Sequence, residues 1–289
     1  MENAGGGMDG KVVLITGGTS GIGKAAATAL AGMGAEVVVT GRDRERGEDA
    51  VEDVRRESGS EKVSLMLADL AVQAEVRRLA RKFEASHDRL DVLANNAGLV
   101  LNRRTETSDG IETTLAVNHL APFLLTNLLL DLLKKSAPSR IITVSSEAQR
   151  WGKMDLDDLQ SKRSYRAFPV YGKTKLANIM FTYELAERLE GTGVTANCIH
   201  PGGVNTNFGK NNRGPMTLLF RLMKPFMRTP EQGADTLVYL AASPDVDGMT
   251  GRYLSDRKVM SSSEESYDEN LRKKLWAASE ELTGLKVEA

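Results

Sequence analysis

The sequence predicts an α/β fold: a single domain on a doubly wound parallel sheet of about seven strands, with helices on both faces. Three observations carry that prediction. Apolar, β-branched runs alternate with helix-length segments along nearly the whole chain, which is the pattern of parallel strands joined by helical crossovers. A glycine-rich string, "TGGTSGIG" (16–23), lies directly between the first apolar run and the first helical segment. No linker or solenoid-period repeat interrupts the 289 residues.

"KVVLITG" (11–17) and "AEVVVTG" (35–41) are continuous β-branched runs, as expected of strands covered on both faces. Between them "GIGKAAATALAGMG" reads as a helix ending at Gly34, and a charged helix follows from about Asp43 to Ser58. "KVSLMLADL", "LDVLANNAG" and "RIITVSS" repeat the strand signal, with helical segments near 73–87 and 107–135. A polar stretch at 147–167 precedes a helix beginning "VYGKTKLANIMF". "VTANCIHPG" is a sixth strand and "TGRYLSD" (250–256) a weaker seventh. Residues 1–9 are expected to be a flexible tail and 10–289 the domain. Residues 204–229, rich in Gly, Pro, basic and large apolar side chains, read as a substrate lid, an extra packed helix or a peripheral membrane contact.

A net charge of -1 gives no reason to invoke nucleic acid or an acidic membrane as partner. One cysteine, Cys198, excludes an internal disulfide and a cysteine metal cluster. His87, His119 and His200 share no ligand spacing, so no metal is expected. No uninterrupted apolar run reaches the roughly 18 residues of a spanning helix, and no signal peptide is visible. The expectation is a cytoplasmic protein without an integral membrane segment, and a homo-oligomer is compatible with everything above.

Missing side chains at Gly17, Gly21 and Gly23 let backbone N–H groups approach a pyrophosphate at a helix N-terminus. This makes a Rossmann-type dinucleotide site the natural reading. The second strand ends at Thr40, not at an acid, and Arg42 follows. Arginine there suits a ribose 2′-phosphate, so NADP(H) is preferred; Asp43 leaves NAD(H) open. Asp69, closing the third strand, could accept from an adenine amino group.

On a helix, residues i and i+4 share a face, whereas i and i+2 point roughly 200° apart. Tyr171 and Lys175 can therefore converge, and Lys173 is turned away from them. "TGGTSGIG", "NNAG" (95–98), Asn118 in "LAVNHL", the serines of "IITVSSEA", "YGKTK" and "HPGGVNT" occur in one order along the chain. In these motifs the chain, over about residues 10–256, resembles the short-chain dehydrogenase/reductase family. "VNHLAPFLLTNLLLDLL" and "LWAASEELTGL" are most similar to its retinol-dehydrogenase-like and WW-domain-oxidoreductase-like branch.

The resemblance implies carbonyl–alcohol interconversion on a hydrophobic small molecule, with hydride moving to or from a nicotinamide. It implies a tetrad of Asn118, Ser146, Tyr171 and Lys175, with Ser145 the neighbouring candidate on the opposite strand face. Tyr171 would exchange the substrate proton, and Lys175 together with oxidised nicotinamide would lower its pKa. Cofactor contacts implied are Gly17, Thr19, Ser20, Gly21, Ile22, Gly23, Arg42, Asp69, Leu70, Asn95, Ala97, Gly98, Tyr171, Lys175, Pro201, Gly202, Val204 and Thr206. An epimerase of the extended branch and a non-catalytic nucleotide sensor are the rival readings. The short stretch after "YGKTK" argues against the first, and the complete tetrad against the second.

Overall fold

The computed structural model of the chain describes residues 7–204 and 227–285. The expected tail ends in ordered packing, with Met8 buried in the core and its N–H donating to the Met33 carbonyl. The sheet runs in the order β3 (Val63–Leu67), β2 (Glu36–Gly41), β1 (Val12–Ile15), β4 (Val92–Asn95), β5 (Ser139–Val144), β6 (Val194–Ile199), β7 (Arg252–Ser255) and β8 (Lys258–Val259). Every neighbouring pair is parallel except β7–β8. The eighth strand extends the seven read from the sequence. At two residues it is too short to show a period, and it folds back through Asp256 and Arg257, both at positive φ.

β1 is buried along its whole length because successive side chains enter different cores. Val12 and Leu14 join Val38, Phe83, Phe123, Phe181 and Trp276 on one face. Val13 and Ile15 join Val37, Val39, Leu30, Val54 and Leu237 on the other. Helices α1 (Gly21–Gly32), α2 (Arg44–Ser58) and α8 (Pro230–Ala242) cover the second face. Helices α3 (Gln73–Ser86), α5 (Ala121–Leu128), α6 (Leu130–Lys135), α7 (Ala167–Arg188) and α9 (Glu269–Thr283) cover the first. The strand order reverses between β1 and β4, which opens a crevice beyond their carboxyl ends.

The helix expected over 107–135 is interrupted. It begins only at α4 (Thr113–Leu115), where the Glu112 carboxylate accepts from the Thr114 and Leu115 N–H groups. A π-helical turn, Ala116–Leu120, follows before α5. Such turns insert one residue into the ladder and swing a side chain out of helical register; here the turn carries Asn118.

α9 closes the face formed by α5 and α7. Trp276 is 3% exposed, stacked on Phe181 at 5.8 Å and edge-on to Phe123 at 4.9 Å. The Arg188 guanidinium lies 4.1 Å from the Trp276 ring. Gln73 and Arg77 of α3 donate to the Leu282 and Thr283 carbonyls, and His119 pairs with Ser279. No helix among the described residues is long and apolar enough to cross a membrane. Replacing Trp276 by Ala removes a large buried ring and should cost about 3–5 kcal/mol. Thermal denaturation should show a midpoint lower by roughly 10 °C, and an unchanged midpoint would contradict the packing role given to α9.

Candidate active site

The glycine string forms the turn between β1 and α1. Gly17 and Gly21 sit at φ +65° and +55°, a region open to glycine at little cost. The Gly17 N–H donates to Thr40 Oγ1 at 3.2 Å, so Thr40, which the strand passes by one residue to end at Gly41, holds the turn. A Cβ on Gly23 would lie 2.5 Å from both the Asn96 side-chain nitrogen and the Gly17 carbonyl oxygen. Asn96 Nδ2 donates to the Thr16 and Gly17 carbonyls at 2.9 and 3.1 Å. Ser20 is the N-cap residue of α1, yet its side chain makes no cap bond and the first turn has no acid. The helix N-terminus therefore presents backbone donors to the crevice, as a pyrophosphate requires. Thr19 packs against Gly41, while Ile22 and Val204 converge on Gly233 of α8.

Asn95 is turned the other way. Its side chain donates to Thr126 inside the core at 2.9 Å, and the neighbouring Asn96, not singled out from the sequence, clamps the glycine turn. The strand parity of "NNAG" is the signal that separates them. Ala97 lies beside Gly17, and Gly98 faces the Lys175 ammonium and Asn118, 3.3 and 3.4 Å from a Cβ position. Arg42 is exposed just beyond β2. Asp43 is the N-cap of α2 and accepts from the Arg46 N–H at 3.1 Å. Asp69 accepts from the Ala71 N–H at 2.9 Å at the start of the turn into α3, with half-buried Leu70 beside it.

The crevice continues past the end of β5. Ser145 is 2% exposed and donates to the Lys175 carbonyl at 2.7 Å. Ser146 points the opposite way and opens a 3₁₀ turn (Glu147–Trp151), its Oγ accepting from the Ala148 N–H at 3.2 Å and facing the Tyr171 hydroxyl, whose pKa it lowers. Lys175, 3% exposed, donates to the Val144 carbonyl at 2.8 Å and sits 5.6 Å from the Tyr171 ring centre. Asn118 Nδ2 donates to the Leu99 carbonyl and Thr174 Oγ1, and its Oδ1 accepts from the Leu99 N–H. Asn118, Ser146, Tyr171 and Lys175 are thus gathered from the π turn, β5 and α7.

Apart from any nicotinamide charge, burial sets the electrostatics here. It pushes the Tyr171 hydroxyl up to about 12 against the opposing influence of Ser146. Burial also pushes Lys175 down to about 8. Each group is stripped of water, which disfavours whichever form is charged. For Tyr171 in the protein alone, desolvation outweighs the opposing influence of Ser146.

Lys173, two residues from Tyr171, is turned away as helix geometry requires, but it is not solvated. It is 7% exposed and donates to the Asp158 carbonyl and Ser161 Oγ at 2.9 and 2.8 Å. Pro201 is buried, Gly202 donates its N–H to His200 Nδ1 at 3.0 Å, and Val204 bridges to Arg228. Thr206 and almost all of the 204–229 lid segment lie outside the described residues. His119 is a core group, with burial lowering it to about 4. Cys198 is fully buried, its thiol pushed up to about 12. Among the described residues no His, Cys, Asp or Glu group could hold a metal. A cavity of about 830 Å³ opens at the opposite end of β5 and β6, and none of the expected site residues lines it.

Residues 11–216 match the family described as short chain dehydrogenase. The human protein named retinol dehydrogenase 14 is 46% identical, over 96% of this chain and 88% of its own length. A crystal structure of an uncharacterised Mycobacterium paratuberculosis protein superposes with TM-score 0.80 at 31% identity, covering 97% of this chain and 96% of that one. The Pseudomonas aeruginosa RhlG/NADP active-site complex superposes with TM-score 0.68 at 29% identity, over 85% and 94% of the two chains. On the family match and these similarities, the chain belongs to the short-chain dehydrogenase/reductase family, in its retinol-dehydrogenase-like branch, and is an NAD(P)-dependent oxidoreductase acting on CH–OH groups.

Proposed function

We propose that the protein is an NADP(H)-preferring, cytoplasmic oxidoreductase that interconverts a carbonyl and an alcohol on a hydrophobic small molecule, with Tyr171 as proton donor and acceptor. The observation that carries this reading is the buried Lys175 ammonium, 5.6 Å from the Tyr171 ring centre, with Ser146 facing the Tyr171 hydroxyl, at the mouth of the glycine crevice. The uncapped α1 terminus and the close-packed Gly23 fit a dinucleotide pyrophosphate. Gly17 to Gly23 would hold the phosphates, Asp69 and Leu70 the adenine side, and Lys175 the nicotinamide ribose. Ala97 and Gly98, and Pro201 to Thr206, would line the remaining length, with Asn95 beside them able to offer its backbone alone because its side chain is spent on Thr126. The dinucleotide, when bound, supplies or accepts the hydride.

This chain's own groups manage the proton. Ser146 would hydrogen-bond the substrate oxygen and orient it toward the Tyr171 hydroxyl. With its pKa at about 12, Tyr171 holds its proton at neutral pH and is poised to give it to an oxygen that becomes basic as the carbonyl is reduced. The Lys175 ammonium, near the ring, would stabilise the phenolate left behind. Asn118, tied on both amide atoms to Leu99, holds the π turn beside Lys175. It would support a water that returns the proton.

The NADP(H) preference is supported by Arg42 and by the occupation of its acidic neighbour. Asp43 is committed to capping α2, and Thr40 to the Gly17 N–H. Thr40 carries no carboxylate and that of Asp43 is engaged, so neither offers the acid that a free ribose 2′-hydroxyl would want. The name of the human relative, retinol dehydrogenase 14, points to a lipophilic alcohol. A hydrophobic substrate is the reading taken here, without assigning retinol itself.

Tyr171→Phe should lower carbonyl reduction at least about 100-fold while NADPH affinity, measured by fluorescence titration, stays within twofold by the same reasoning. Substantial residual turnover would remove tyrosine from the proton step. Arg42→Ala should weaken NADPH by about tenfold to a hundredfold, the worth of a lost charge-assisted bond, and barely change NADH. Equal losses for both would reverse the ribose assignment. The Lys175 charge is complete below about 8 and lost above it. Reductive kcat/KM should therefore be level below that pH and fall about tenfold per unit above it. In Lys175→Arg, whose charge does not titrate in this range, the fall should vanish whatever the absolute rate. A wild-type profile level to pH ~10 would sink the role given to the ammonium.

A further inference from the structure

Five large hydrophobic side chains stand exposed among the described residues: Trp151, Phe168, Val259, Met260 and Tyr267. Val259 and Met260 lie in and just after β8, and Tyr267 stacks on Tyr183. Trp151 and Phe168 are different, because they join each other and then Tyr171. The Trp151 and Phe168 rings are 5.6 Å apart and tilted by 51°; Phe168 and Tyr171 are 6.5 Å apart and tilted by 53°. Exposure rises outward along this run, from 9% at Tyr171 to 39% at Phe168 and 60% at Trp151. An aromatic wall therefore leads from the proposed proton donor to solvent.

The wall is held by backbone packing. Trp151 closes the 3₁₀ turn that Ser146 opens, and Phe168 lies in the first turn of α7, three residues before Tyr171. Gly152 and Gly172 press these two elements together. A Cβ on Gly152 would sit 2.5 Å from the Gly172 carbonyl carbon and oxygen, and one on Gly172 would sit 2.5 Å from the Ala148 carbonyl oxygen. No alanine fits either position without moving a backbone. The contact that brings Ser146 to Tyr171 therefore also fixes Trp151 beside Phe168.

The geometry points to Trp151 and Phe168 as specificity-determining residues: a preformed aromatic ledge that receives the apolar chain of the substrate beyond its reacting carbon. This rests on the reading of Tyr171 as proton donor. Exposed aromatic faces grouped at the mouth of a site lose water contact when an apolar ligand covers them, and rigid rings give up little conformational freedom in doing so. The span from the Tyr171 ring past Phe168 to Trp151 asks for an unbranched or planar chain of about eight to ten carbons at ordinary bond lengths. A four-carbon substrate would stop short of Trp151.

The test compares reduction of n-alkanals from butanal to dodecanal, with NADPH, by the wild-type protein, Trp151→Ala and Phe168→Ala. Trp151→Ala should lose about tenfold in kcat/KM for dodecanal, mainly through KM, and less than about twofold for butanal. Phe168→Ala should lose on both, and more on the longer chain. Equal losses at both lengths, or none, would overturn the ledge. A second readout needs no turnover. The chain has two tryptophans, and Trp276 is buried, so acrylamide quenching reports Trp151, with Trp151→Phe as its control. Decanamide, an unreactive analogue, should shield Trp151 in the NADP-loaded protein. Absence of shielding overturns the ledge even if the alkanals are reduced, and the oxidoreductase reading then stands alone. Shielding in a protein that reduces none of them would overturn the specificity role of the ledge, leaving it an apolar contact surface, and would remove n-alkanal reduction from the proposed function.

Discussion

Much of this structure depends on burying one ammonium group. Lys175 is 3% exposed, and its charge is answered by the Val144 carbonyl at the end of β5. The same strand end sends the Ser145 hydroxyl to the Lys175 carbonyl, so β5 and α7 are tied twice through one residue. A charge in that position costs stability, as the lowering to about 8 records. In return, the helix cannot slide or rotate against the sheet without stranding a cation. Ser146 follows Ser145 on the opposite side of the strand, and Tyr171 lies one helical turn before Lys175. The approach of Ser146 to Tyr171 is therefore a consequence of where the lysine is buried.

The crevice beside them is built on the same economy of means. Thr40, Asp43 and Asn96 are all polar groups at strand ends, and each is used to hold backbone: the glycine turn, the start of α2 and the glycine turn again. The α1 terminus is left without a side-chain cap, whereas α2, α8 and α9 are capped by Asp43, Thr229 and Asp268. A helix end that faces a crevice and lacks its own cap is where an anion from outside is most favoured.

The alternation of apolar runs and helices was enough to read the sheet, because burial on both faces writes itself into the sequence as unbroken β-branched strings. The gathering of Tyr171 with Lys175, and the turning away of Lys173, followed from helical period alone. What could not be read depends on tertiary placement. The helix spacing over 107–135 gives no hint of the π turn at Ala116–Leu120, since one extra residue in a largely apolar stretch leaves no mark on periodicity. The burial of Lys173 against Asp158 and Ser161 needs a loop that only the folded chain supplies. The direction of the Tyr171 shift depends on how much water is excluded around it, which no spacing records. Asn95 and Asn96 are chemically identical neighbours, and only strand parity separates the core amide from the clamp.

α9 has a consequence for how the chain reaches its folded state. Its partners lie far back along the sequence: Gln73 and Arg77, His119, Phe123 and Phe181. During vectorial synthesis these surfaces exist before residue 269 emerges, and until then Phe123 and Phe181 lack their cover. Whatever part of the domain has folded by then carries an open apolar seam beside the Asn118 turn. That seam is a natural binding surface for a chaperone, and a place where two unfinished copies could stick to one another.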